Sequence, residues 1–278
     1  MDEITPIVGA IMALNAFVTY KGLEDRSFFT KYLFRVRSIL ADKEFVRLFT
    51  SGFLHANWMH FGFNMLTLFF FGPLVESAIG SLLFATLYIA SLLGGDILAL
   101  LFHRNNGEYS AIGASGAVTG VVFASIALNP GMELGLLIIP FISFPSWVFG
   151  LLYVAYSIYG IKSRTDNIGH EAHLGGGITG LLIALIISPQ SLFTNYLPIL
   201  AILIPTVLFL ILYMLKPSIL FLENPFKRKK GVYDIDDQYN LAKANKQREL
   251  DYLLDKINRD GIDSLSESQK ARLEELSK

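Results

Sequence analysis

Three short stretches carry residues whose types and spacing could do chemistry. Residues 113–120 read Gly-Ala-Ser-Gly-Ala-Val-Thr-Gly and set one hydroxyl, Ser115, among small residues at the start of an apolar helix. Residues 169–180 read Gly-His-Glu-Ala-His-Leu-Gly-Gly-Gly-Ile-Thr-Gly and set His173 at the start of a second, glycine-lined helix. A serine hydroxyl within reach of an imidazole is the nucleophile and base of covalent catalysis. The third stretch holds His60 and Asn64, four apart and so on one face of a helix. Both can donate hydrogen bonds toward a developing oxyanion, as can the backbone N–H of Ser115 at its helix N-terminus. Each residue alone has a plainer explanation. Serine is a common small residue at helix contacts, and a histidine or a His–Asn pair can be structural.

The elements that must position these groups are apolar. The 278 residues are 53% hydrophobic with a mean hydropathy of +0.47, too apolar for a soluble domain around one core. Of the Asp, Glu, Lys and Arg residues, 13 precede position 61, 24 follow position 222, and 10 lie between. A middle so poor in charge calls for lipid as its solvent. The net charge of −1 gives no electrostatic ground for binding nucleic acid. The lack of cysteine excludes disulfides and thiolate chemistry.

A bilayer core of about 30 Å needs roughly 17–25 apolar residues per helix. That ruler gives seven spans, near Ile4–Tyr20, His60–Ala78, Leu82–Phe102, Gly113–Leu128, Ser146–Gly160, Ala172–Ile187 and Tyr196–Leu215. Alternation then puts the N-terminal ends of spans two, four and six, with His60, Ser115 and His173, on one side of the membrane at similar depth. Gly113, Gly116 and Gly120 in span four and Ala172, Gly176 and Gly180 in span six form small-residue faces that let two backbones close on each other.

The remaining polar features fit supporting roles. Between Lys21 and Met59 the aromatic and aliphatic residues alternate with Lys31, Arg35 and Arg37, a pattern suited to amphipathic helices in the interface. Asp96 inside span three fits a buried pairing that orders the bundle, Glu76 a cap at the end of span two, and His55 a loop-packing group. His170 and His173 are three apart, not the four that a zinc-protease helix requires, so no metal site is expected. After the basic run Lys227-Arg228-Lys229-Lys230, the leucines Leu241, Leu250, Leu253 and Leu254 recur at helical spacing, and Ser266-Glu267-Ser268-Gln269 opens a last short helix with a capping box. The tail should be a small helical hairpin.

Taken together these residues resemble the rhomboid family of intramembrane serine proteases. The likeness lies in His60 with Asn64 on span two, Gly113-Ala114-Ser115-Gly116 opening span four, and Ala172-His173-Leu174-Gly175-Gly176 opening span six, and it covers roughly residues 1–188. It implies an all-α polytopic membrane protein with a six-helix core over 1–188; outside the likeness, run length gives an additional transmembrane helix and exit over 189–222, and composition a polar, helical tail over 223–278. Ser115 would be the nucleophile and His173 the general base, a dyad without an acid. His60, Asn64 and the Ser115 N–H would form the oxyanion hole, and span five with the loop before span six would gate lateral entry. The expected partners are transmembrane protein substrates and membrane lipid, with no nucleic acid, no metal and no cofactor, and the expected location is a cell membrane. Two departures stand out. Thr119 lies where the family often has an aromatic stacked on the catalytic histidine, and Val46 precedes Arg47 where tryptophan is frequent. One rival is a catalytically inactive relative that binds membrane clients with the same fold. Another, a transporter, would need charge at mid-depth in spans two, four and six, and they carry none.

Overall fold

The structure, a computed structural model, describes residues 4–129, 131–135, 143–163, 168–215, 253, 256–257 and 264–276. The chain divides into two units, Met1–Phe221 and Leu222–Lys278.

The first unit is built from α1 (Pro6–Glu24), the short helices α2 (Arg26–Tyr32), α3 (Val36–Leu40) and α4 (Arg47–Thr50), then α5 (Trp58–Ile79), α6 (Ser81–His103), α7 (Ser115–Leu128), α8 (Ser146–Ser163), α9 (His170–Ile187), α10 (Ser191–Thr194) and α11 (Tyr196–Leu215). Among the described residues, α1, α5, α6, α9 and α11 are long and apolar enough to cross a membrane, and α7 is a shorter apolar helix. The protein is therefore an all-α, multi-pass membrane protein. Helix ends fall within a few residues of those expected. The largest difference is α1, which continues past the apolar stretch to Glu24, until the Asp25 carboxylate caps α2 through the Ser27 and Phe28 N–H groups.

Helix α7 is the axis of the unit, with every residue from Gly116 to Ala127 buried. Around it stand α5, α6, α8, α9 and α11. The approach of α9 is set by glycine. A Cβ at Gly116 would lie 3.2 Å from the Ala172 carbonyl oxygen, and Cβ atoms at Gly176 and Gly180 would fall on the backbones of Gly116 and Gly120. Helix α6 joins the same cluster, since a Cβ at Gly95 would lie 2.6 Å from the Ala172 oxygen. With no side chains between them, the three backbones touch and dispersion contacts replace a hydrophobic drive that lipid does not supply.

Part of the connection between α1 and α5 packs into the unit, although α2 buries no residue. Leu33, Phe34, Val36 and Ile39 turn inward and are buried, the last three in a small core with Ala99 and Ala172. Arg47 is buried with them because its guanidinium has partners: Nη1 donates to the Leu33 and Thr30 carbonyls at 2.8 and 3.0 Å, and Nε to Glu44 at 2.5 Å. Strand β1 (Phe34–Arg35) pairs antiparallel with β2 (Ser110–Ala111), and the Gly113 N–H donates to the Ser51 carbonyl at 3.0 Å. The connection is thus stitched to the segment that leads into α7. A second ladder, β3 (Glu133–Gly135) with β4 (Ser143–Pro145), precedes α8. Neither ladder has a sequence signal.

Glu76 does serve as a cap, but for a different helix. Its carboxylate accepts from the Ile7 and Val8 N–H groups at 3.1 and 2.9 Å, and from the Thr5 and Ser81 hydroxyls. A negative charge thereby meets the N-terminus of α1, where the macrodipole favours it.

In the second unit, α12 (Glu267–Leu276) opens with the expected capping box: the Gln269 N–H donates to Ser266 Oγ at 3.3 Å and the Ser266 N–H to Gln269 Oε1 at 3.1 Å. Leu253 is buried and helical. The basic run at 227–230 and Leu241, Leu250 and Leu254 lie outside the described residues.

Candidate active site

The N-terminal ends of α5, α7 and α9 meet as the topology requires. A cavity of about 430 Å³ is lined by His60 and Asn64 of α5, Ser115 and Thr119 of α7, Tyr153 of α8 and His173 of α9. A second cavity of about 310 Å³ shares Ser115, His60 and Gly169 with the first and adds Ser51, Asp96, Tyr109 and Ala172. Ser115 thus stands between two openings.

Its depth follows from helix length. The 14 residues of α7 rise about 21 Å, roughly 9 Å less than a bilayer core of about 30 Å. A helix that short cannot reach both surfaces of such a core, which suits a first residue set within it and lining both cavities.

Gly113 explains how His60 comes so near. Its φ of +122° is closed to most side chains, and a Cβ there would lie 2.9 Å from His60 Nε2 and 3.8 Å from Ser115 Oγ. The imidazole of α5 occupies the space that the missing side chain leaves beside the serine. Asn64 sits one turn along the same face and gives one of its two N–H groups to the His60 carbonyl at 3.0 Å.

His173 is buried at the start of α9. Its Nδ1 is 2.9 Å from the Tyr153 hydroxyl, and the two rings lie 5.7 Å apart at 33°. The aromatic neighbour missing at position 119 is therefore supplied by α8. Sequence inspection passes over Tyr153, although the buried residues Gly150, Val154 and Ser157 mark its side of α8 as inward. Glu171 turns away to His103, 3.1 Å off, and the His170 ring packs on Tyr156 with centroids 5.0 Å apart. Asp96 Oδ2 lies 2.9 Å from Ser51 Oγ, which is also 2.6 Å from the Arg47 carbonyl oxygen, a polar contact between α6 and the connection.

His55 lies in the turn before α5, outside the membrane-crossing helices, and is buried. Nε2 accepts from the Ala114 N–H at 3.5 Å, so Nδ1 carries the proton and donates to Thr19 Oγ1 at 2.8 Å. Burial, with a smaller effect of the neighbouring His60, holds the His55 imidazole down to about 3 from an ordinary 6.5. The unfolded chain therefore takes up this proton first as the pH falls. The stability contributed by neutral His55 is full above pH 6.5 and is lost between 6.5 and about 3, with a slope of up to about 1.4 kcal/mol per pH unit. Melting curves of parent and His55→Gln from neutral pH down to about 4.5 are expected to diverge, the parent losing stability more steeply.

Comparison with known proteins identifies the family. A family model described as the Rhomboid domain matches residues 42–190, and a family of unknown function matches residues 233–278. The chain is 30% identical over 164 residues to the mitochondrial Rhomboid protein 1 of Saccharomyces cerevisiae, covering 58% of this chain and 46% of that one. It is 32% identical over 144 residues to the mitochondrial RHOMBOID-like protein 12 of Arabidopsis thaliana, with coverages of 46% and 42%. To RHOMBOID-like protein 1 of the same plant it is 33% identical over 162 residues, with coverages of 56% and 38%. The chain spans less than half the length of each of these relatives. Its Rhomboid match runs through the elements that carry His60, Asn64, Ser115 and His173, and the chain belongs to the rhomboid family.

Proposed function

We propose that the chain is an intramembrane serine endopeptidase that hydrolyses peptide bonds in or beside the transmembrane segments of other proteins. The observation that carries the proposal is the single cavity lined by Ser115, His173, His60 and Asn64. Ser115 Oγ attacks the scissile carbonyl carbon while His173 Nε2 takes the hydroxyl proton. The oxyanion so formed is met by His60, Asn64 and the Ser115 N–H. Collapse of the tetrahedral adduct breaks the C–N bond, and the leaving amine takes the proton back from His173. Water entering from the second cavity, deprotonated by His173, then cleaves the acyl-serine ester and restores the hydroxyl.

Phe63 and Thr67 of α5 and Phe149 and Tyr153 of α8 also line the cavity, which supports substrate entry from the side, between α5 and α8. In this reading α7 and α8 complete a six-helix core with α1, α5, α6 and α9 over 1–188, α11 is a further span within 189–222, and 223–278 is an appendage. No cofactor takes part, and the location is a cell membrane.

The test is cleavage of a reporter with a single transmembrane helix by the purified protein in liposomes, beside labelling with a fluorophosphonate probe. Cleavage with Ser115 labelled is the expected result. Neither cleavage nor labelling, with the protein folded, would overturn the proposal in favour of an inactive relative that binds membrane clients.

A further inference from the structure

A dyad has a difficulty that a triad does not. Neutral imidazole exists as two tautomers, and only the one protonated on Nδ1 leaves Nε2 able to accept the serine proton. In a triad a carboxylate on Nδ1 makes that choice. The group on Nδ1 of His173 is the Tyr153 hydroxyl, which both donates and accepts, and so by itself selects neither tautomer.

The choice is made two residues further on. The Thr119 hydroxyl is 2.7 Å from the Ser115 carbonyl oxygen, which can only accept, so the one Thr119 proton is committed there. Thr119 Oγ1 is also 3.2 Å from the Tyr153 hydroxyl and, its proton spent, must accept from it. The one Tyr153 proton is then spent in turn, so Tyr153 Oη accepts from His173 Nδ1–H across 2.9 Å. Direction thus propagates along the chain from an atom that cannot donate to an atom that must.

Resting on the proteolytic reading above, we infer that Thr119 and Tyr153 form a one-way hydrogen-bond relay, anchored on the backbone of the nucleophile itself, that holds His173 in the Nδ1–H tautomer. They are positioning residues, since neither touches the reacting atoms. The relay does the orienting work of a triad's acid without a buried carboxylate, whose desolvation would be costly at membrane depth. When His173 becomes imidazolium, the Nδ1–H to Oη bond becomes charge-assisted and strengthens at the moment it is needed. The tyrosine ring is fixed for the task by Phe149 and Phe123, with centroids 5.9 and 6.3 Å away. Because Tyr153 belongs to α8, the relay is intact only while that helix lies against α7 and α9.

The test joins kinetics to the nitrogen-15 NMR of histidine-labelled protein in detergent, which reads the tautomer directly. In the parent the Nδ1–H form of His173 dominates. Thr119→Val keeps the shape, deletes the hydroxyl and frees the Tyr153 proton to turn toward Nδ1. It is expected to shift His173 toward the Nε2–H form and to lower kcat about tenfold with little change in KM, and Thr119→Ser is expected to restore both. Tyr153→Phe removes the bias altogether, and adding Thr119→Val to it costs nothing more. A Thr119→Val protein with the parental tautomer overturns the relay, whether or not its rate falls. A tautomer that moves as expected in a protein that cuts nothing keeps the relay and overturns the proteolytic reading instead.

Discussion

Replacing Ser115 with alanine is expected to lower the initial rate of reporter cleavage by at least about 10³-fold, while the melting temperature stays at the parental value. The substitution removes one oxygen at the first position of α7 and leaves the buried run from Gly116 to Ala127 untouched. His173→Ala is expected to be as slow. The double variant should be no slower than either single one, because a nucleophile without its base and a base without its nucleophile fail at the same step. Rates in proteoliposomes and circular dichroism melts check all three. A folded Ser115→Ala protein that cuts at the parental rate would remove Ser115 from the mechanism.

The second large effect is expected at Gly176, which touches no reacting atom. A Cβ there would meet the carbonyl carbon and oxygen and the Cα of Gly116, all backbone, so no side chain can swing aside. Helices α7 and α9 would have to part, and Ser115 and His173 sit at the top of that seam. Displacement of a catalytic pair by about 1 Å costs on the order of 10²-fold in rate, and overpacking of this kind typically costs about 1–3 kcal/mol. Gly176→Ala is therefore expected to lose at least about 10²-fold in cleavage with a lowered melting temperature, and Gly176→Leu to fail to fold. Gly62 in α5, where a Cβ meets nothing within 4 Å, provides the control: Gly62→Ala should melt no lower than the parent. A Gly176→Leu protein that melts with the parent would show that α7 and α9 do not need that contact.

Much of the fold is legible in the sequence. Apolar run length located the helices because lipid forces every spanning backbone to satisfy itself within its own helix. The glycines at 116, 120, 176 and 180 announced the crossing of α7 and α9 for the same reason that Gly176→Leu should break it. What stayed hidden depends on distances between segments far apart in sequence. Phe34 and Ile39 read as residues for the interface, since nothing local reveals that Ala99 and Ala172 lie above them. The two-residue pairing of Phe34–Arg35 with Ser110–Ala111 is too short to have a period. Tyr153 looked like one more aromatic in an apolar helix. Its part in the proposed relay rests on the Thr119 hydroxyl, the departure from the family pattern, lying 3.2 Å away.

The seam between α7 and α9 also has a consequence for biosynthesis. A nascent chain that has emerged only through α8 already carries Ser115 and His60, but neither His173 nor the glycine face on which α7 closes. On the proposed dyad the hydroxyl at that stage lacks its base. Hydrolytic competence therefore waits for α9, and a chain truncated before that helix is expected to cut nothing.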